Sequence, residues 1–210
     1  MTRSSPHGTF TAFDPPGSTF TAPQGINAAG TIEGYYNDTS GTTHGFVRAY
    51  DGTITVFDVP GAAFGTVPSG INPTGTIVGS YFDADFVGHG FLRAPDGTFT
   101  TFEVPGSPFT QAVGINPSGT TTGTYCDTDF MACHSFVRAP GGTFATFDPA
   151  MSPNLSGVIN PAGAVTGTYF DAGLFHGFVR ASDGTVTTFN APDVCQTVTA
   201  LLLLALTQRG

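Results

Sequence analysis

The sequence predicts an all-β, β-propeller-like architecture. Three observations predict it: a repeat of about 44 residues, four strand-like segments within each copy, and a strand-type composition. Gly-Ile-Asn occurs at Gly25-Ile26-Asn27, Gly70-Ile71-Asn72 and Gly114-Ile115-Asn116, then returns as Val158-Ile159-Asn160. The asparagines are 45, 44 and 44 residues apart. A second anchor, His-Gly/Ser-Phe-Val/Leu-Arg-Ala, begins at His44, His89, His134 and His176, with spacings of 45, 45 and 42. Two independent anchors on one period mark tandem copies of a single unit.

The second copy shows how each unit reads. Thr66 to Asn72 is a first strand, and Asn72-Pro73-Thr74-Gly75 is a turn with Pro and Gly where a type I turn takes them. Thr76 to Phe82 is the second strand, followed by a polar loop from Asp83 to Gly88. His89 to Ala94 is the third strand, Asp96-Gly97 a hairpin signal, and Thr98 to Val104 the fourth, closed by Pro105-Gly106. The hairpin signal recurs as Asp51-Gly52, Gly141-Gly142 and Asp183-Gly184. A lone sheet of this kind cannot bury both faces, so neighbouring units stack around an axis. Two aromatic rows suit that packing: Phe46, Phe91, Phe136 and Phe178 on third strands, and Phe57, Phe102, Phe147 and Phe189 on fourth strands.

The resulting organisation is one repeat domain over 1–210, with blades at 18–61, 62–106, 107–150 and 151–193. Residues 8–17, Gly8 to Gly17, match a fourth strand and are expected to close an incomplete fifth blade. Residues 194–210 form an atypical cap or part of that blade. Their run Ala200 to Leu206 is far shorter than the about 20 residues that a membrane span requires. No signal peptide is visible, since Met1-Thr2-Arg3 leads almost directly into repeat sequence.

Composition bounds the function. Charged residues are only 10%, Gly and Pro number 29 and 16, and lysine is absent. The 20 Phe and 6 Tyr argue for a packed core rather than disorder. A net charge of −9 disfavours nucleic acid and anionic membranes as partners, and is compatible with cations or neutral ligands such as sugars. Without lysine there is no Schiff-base chemistry. No nucleophile elbow, phosphate loop, dinucleotide fingerprint or zinc-protease helix is present. Cys126 and Cys133 flank one predicted loop; they either form a disulfide across it or remain inert thiols.

Four polar patterns are candidate sites. Each unit carries a carboxylate upstream of its histidine: Asp38 and His44, Asp83 and His89, Asp127 and His134, Asp171 and His176. Such a pair can orient a base or bind a metal, but a pair present in every copy reads first as a structural hydrogen bond that pins the loop. Asp83 with Asp85, and Asp127 with Asp129, are carboxylates in a turn that could collect Ca²⁺, the one cofactor the sequence suggests; the bland reading is solvated loop acids. Arg48, Arg93, Arg138 and Arg180 lie one per third strand; they either pair with Asp58, Glu103 or Asp148 or form a ring of donors for an anionic or sugar ligand. Tyr36, Tyr81, Tyr125 and Tyr169 recur two residues after a glycine and either stack on sugar rings or pack in the core.

The stretches His44-Gly45-Phe46, His89-Gly90-Phe91, His134-Ser135-Phe136 and His176-Gly177-Phe178 resemble the bacterial extracellular HAF repeat family, over roughly residues 8 to 193. The middle residue departs from that family's alanine. The resemblance implies an exported, extracellular or periplasmic, propeller-like protein and brings no catalytic residues with it. Three functions follow. The first is a binding or interaction module, with glycans or small neutral ligands as partners. The second is a propeller hydrolase or lyase with its site at one mouth of the ring, which calls for a unique polar residue breaking the repeat. The third is a scaffold that assembles as a homo-oligomer.

Overall fold

A computed structural model describes residues 3–5, 8–130, 132–149 and 154–190. Its elements are all strands: β1 (Arg3–Ser5), β2 (Gly8–Phe10), β3 (Phe20–Ile26), β4 (Ile32–Asn37), β5 (Thr43–Arg48), β6 (Ile54–Phe57), β7 (Thr66–Ile71), β8 (Ile77–Phe82), β9 (Gly88–Arg93), β10 (Phe99–Phe102), β11 (Phe109–Ile115), β12 (Thr121–Cys126), β13 (Cys133–Arg138), β14 (Phe144–Phe147), β15 (Asn154–Ile159), β16 (Val165–Asp171), β17 (Leu174–Arg180) and β18 (Val186–Phe189). The four strands of each predicted unit form an antiparallel meander: β3–β6, β7–β10, β11–β14 and β15–β18 are blades one to four. The cap predicted for 194–210 lies outside the described residues. Among those described, no helix is long and apolar enough to cross a membrane.

Local chemistry accounts for the meander. Asn72 follows β7, and its side-chain oxygen accepts hydrogen bonds from the Thr74 and Thr76 amides, closing the first turn. Asn27, Asn116 and Asn160 make equivalent contacts. Asp51, Asp96 and Asp183 likewise accept from the amide two residues on in the third turn. Each first strand carries a register shift, between Pro23 and Gly25, Pro68 and Gly70, Ala112 and Gly114, and Ser156 and Ile159. Such bulges increase local twist.

The first strands β3, β7, β11 and β15 neighbour one another in succession, so they lie innermost, whereas β6, β10, β14 and β18 hang outermost on their own third strands. Blades two and three are also joined by a parallel bridge between Phe109 and Gly88, which makes them one eight-stranded sheet. Side-chain bonds cross between blades as well: the Asn27 amide donates to the Asn72 carbonyl, and the Ser69 hydroxyl to the Ala112 carbonyl.

The core is the stack of third-strand phenylalanines. Phe46, Phe91, Phe136 and Phe178 are all fully buried. Three of them meet, edge to face, the fourth-strand phenylalanine of the preceding blade: Phe57 on Phe91 at 6.4 Å, Phe102 on Phe136 at 6.3 Å and Phe147 on Phe178 at 5.8 Å. Room for these rings comes from the second strand. A Cβ on Gly79 would lie 2.3 Å from the Val67 oxygen and 2.7 Å from the Phe91 ring, so this position excludes any side chain.

Among the described residues β2 pairs with β1 in a local hairpin; the fifth-blade partner predicted for residues 8–17, in 194–210, lies outside them. Phe13 performs the packing role expected of a fourth strand: it lies 6.0 Å from Phe46, edge to face. Blade four departs at its outward face, where Phe189 is 52% exposed and Val158 stands where the other blades have glycine.

Candidate functional site

The connections between second and third strands and the ends of the fourth strands lie at one end of the blades, here called the loop end. There each histidine of the repeat is clamped at both ring nitrogens. His44 Nδ1 lies 2.9 Å from Asp58 and Nε2 3.4 Å from Asp38. His89 Nδ1 is 3.2 Å from Glu103 and Nε2 3.0 Å from Asp83. His134 Nδ1 is 2.9 Å from Asp148 and Nε2 3.3 Å from Asp127. The expected pairs are thus triads, because the fourth strand delivers a second carboxylate. In blade four His176 meets the Asn190 side chain and the main-chain oxygen of Asp171, not its carboxylate. The physical reason is that Asp171 is held in the ladder opposite Leu174.

These clamps bias protonation. Burial disfavours charge on the His44 and His134 rings, but the hydrogen bonds and charges of Asp58 with Asp38, and of Asp148 with Asp127, outweigh it and raise both above the ordinary histidine value. Asp38 falls to about 2, chiefly through the Ser40 hydroxyl, with the Thr42 and Ser40 amides and His44 adding to it. Asp83 is lowered first by His89 and then by the Val87 amide.

The other sequence candidates are engaged in packing. Tyr36, Tyr81, Tyr125 and Tyr169 each lie against the histidine of their own blade, with ring centroids 5.0 to 5.2 Å apart. Tyr36, Tyr81 and Tyr169 are buried, so their faces are not offered to a sugar. The arginines correct a second expectation. Asp58, Glu103 and Asp148 engage the histidines, while the guanidinium groups of Arg48, Arg93, Arg138 and Arg180 lie 4.6 to 5.0 Å from the rings of Phe13, Phe57, Phe102 and Phe147. These are cation–π contacts between blades, in place of the expected pairs with carboxylates. The turn acids also have local work: Asp83 Oδ1 accepts from the Asp85 and Val87 amides. Among the described residues, no group of three or more His, Cys, Asp or Glu side chains is placed to hold a metal, so the calcium reading of Asp83, Asp85, Asp127 and Asp129 finds no site. Cys126 and Cys133, directly opposed on β12 and β13, form a disulfide.

What remains accessible at the loop end is a row of carboxylate edges and exposed aromatics. A cleft of about 410 Å³ is lined by Tyr81, His89, Thr101, Phe102 and Glu103. Phe64 and Phe86 stack at 4.3 Å, are nearly parallel, and are 52% and 66% exposed. Phe130 is likewise exposed on blade three.

Several solved structures resemble the chain, three of them lyases. Streptogramin B lyase matches with a TM-score of 0.55 at 12% identity, covering 88% of this chain and 58% of that one. A catalytically inactive virginiamycin B lyase from Staphylococcus aureus with quinupristin gives 0.54 at 15%, covering 89% and 60%. A selenomethionine-substituted virginiamycin B lyase from the same organism gives 0.53 at 13%, covering 88% and 59%. The fold is β-propeller-like. The chain spans about three fifths of the length of these propeller-like proteins. No family model matches it, and no curated protein matches it in sequence.

Within the propeller-like arrangement a buried acid breaks the repeat, and sequence reasoning missed it. Glu33 on β4 occupies the column filled by Val78, Thr122 and Thr166 in the other blades. It is fully buried, and neither carboxylate oxygen has a hydrogen-bond partner. One oxygen fills the space where Gly25 lacks a side chain, beside Ile71 of blade two. Burial pushes its pKa up to about 8. Aligning the residue before Gly34, Gly79, Gly123 and Gly167 reveals it as a lone acid among Val and Thr.

Proposed function

We propose that the chain is a propeller-like binding module that holds neutral, hydroxyl-rich ligands, glycans foremost, at the loop end of its blades. One observation carries this reading: the carboxylates Asp58, Glu103 and Asp148, at the ends of the fourth strands, each engage a histidine and still remain 54%, 55% and 41% exposed in the same arrangement. Repeated acceptors suit ligands that present repeated hydroxyl donors, and several equal weak sites gain avidity from a multivalent ligand. The absence of lysine and the net charge of −9 disfavour anionic ligands. The Cys126–Cys133 disulfide supports the exported location that the HAF resemblance implies. Isothermal titration with neutral oligosaccharides tests the reading: saturable binding with more than one site per chain is expected, and no heat from any neutral glycan overturns it.

A lyase or hydrolase with its site at one mouth of the ring is the second reading. It draws on the names of the solved structures, which are lyases. It requires a unique, accessible polar constellation, whereas the repeat-breaking Glu33 is sealed between blades and the accessible carboxylates recur from blade to blade.

A further inference from the structure

In blade one the loop between second and third strands turns through Gly41, whose amide donates to the Asp38 carbonyl at a φ of 86°. The equivalent hydrogen bonds in blades two and three are made by the amides of Phe86, to Asp83, and Phe130, to Asp127. Both phenylalanines hold the same left-handed conformation, at φ values of 61° and 57°. That conformation favours glycine, and a bulky side chain there is strained. The strain does not serve the core, because the two rings are 66% and 55% exposed. Strained residues persist where the surrounding structure over-determines them, and they cluster at ligand sites.

The surroundings of Phe86 are built. Its loop is fixed by Asp83 Oδ1, which accepts from the Asp85 and Val87 amides. Phe64 arrives from the connection between blades one and two, and the Ala63 and Phe64 amides both donate to the Phe82 carbonyl. The two rings then stack at 4.3 Å, 20° from parallel. Phe82 in turn stacks with Phe109 at 5.7 Å. Asp85, exposed and next in sequence to Phe86, carries a carboxylate on the same loop.

We propose that Phe64 and Phe86 form a stacking subsite for one pyranose ring, with Asp85 accepting a hydroxyl at its rim. This rests on the glycan-binding reading above and gives it a specific place. A pyranose presents an apolar C–H face and a rim of hydroxyl donors, which matches a flat aromatic surface with a carboxylate on the same loop. A lipid chain would gain nothing from that carboxylate, and an anionic ligand would be repelled by it. Stacking of this kind needs a preorganised face, which the fixed loop supplies. Phe130 offers the same element on blade three.

The test uses the full chain with cellohexaose, laminarihexaose and maltohexaose as probes, and an octyl-chain amphiphile as the apolar control. One of the hexaoses should bind, and Phe86→Gly should weaken it at least tenfold while leaving Tm unchanged or higher, since glycine relieves the turn. Phe64→Ala, which leaves the loop backbone alone, should weaken the same probe comparably and carries the test if Phe86→Gly lowers Tm. Binding that survives both substitutions overturns the subsite while leaving the glycan reading standing. No binding of any hexaose overturns both. Binding of the octyl amphiphile alone, lost in Phe64→Ala, overturns the subsite in favour of an apolar docking surface.

Discussion

Replacing Glu33 by valine should stabilise the fold, and by an amount that depends on pH. Valine is the residue that Val78 places at the same point of blade two, where it is fully buried, so the volume fits. Burial lifts the Glu33 carboxyl from its ordinary 4.5 to about 8. Between those two values the unfolded chain has lost the proton and the folded chain keeps it. Stability therefore falls by about 1.4 kcal/mol for each pH unit gained, and levels off once the folded state also ionises. The loss amounts to about 3 kcal/mol at pH 7 and about 5 kcal/mol above pH 8. Glu33→Val removes that slope, and Glu33→Gln removes it while keeping a buried polar group. Urea unfolding at half-unit steps from pH 4.5 to 9 measures it. The difference between wild type and Glu33→Val should grow steadily from the lowest pH and plateau above pH 8. Parallel pH profiles would refute the reasoning, because they would mean that the carboxyl finds a partner or water in the gap between blades one and two.

Other predictions follow from the same structure. Arg93→Met, which retains the aliphatic stem but loses the guanidinium 4.7 Å from Phe57, should lower stability by about 1 kcal/mol, read by denaturant midpoint. Reducing the Cys126–Cys133 disulfide frees a short loop and should lower stability by about 2 kcal/mol, read by Tm with and without reductant. His44, whose folded pKa is raised, contributes stability that is present below the ordinary histidine value and lost as pH rises through the folded one; subtracting the unfolding profile of His44→Asn from wild type should show that loss near neutral pH.

Much of the architecture was legible because repetition made it so. The Asn turns, the Asp-Gly hairpins and the Gly-Ile-Asn and His-Gly-Phe anchors place strands within about two residues of those observed, since turn chemistry and strand alternation are local. The arginines were misread because proximity in sequence pointed to Asp58, Glu103 and Asp148, whereas the true partner is a ring in the preceding unit, visible only once blades stack. Tyr36, Tyr81 and Tyr169 are buried for the same reason that the tyrosine column is regular: each lies against its own histidine. Glu33 and the left-handed Phe86 and Phe130 are not legible in the recurring residues, because each departs from its column. The signal for both was a departure from the column, acid among Val and Thr in one case, aromatic in place of Gly41 in the other. Blade four shows the limit of strict periodicity: its short β16–β17 connection keeps Asp171 in the ladder, and Asn190 stands where the others have a carboxylate.

The most direct test of the central claim, that ligands are held at the loop end, is a backbone amide map by NMR with a neutral hexaose titrated into the full chain. Shifts concentrated at Asp38 to Thr42, Asp83 to Val87 and Asp127 to Phe130, and at the ends of the fourth strands beside Asp58, Glu103 and Asp148, are the predicted result. Shifts concentrated instead at the Asn27, Asn72 and Asn116 turns of the opposite end would contradict it.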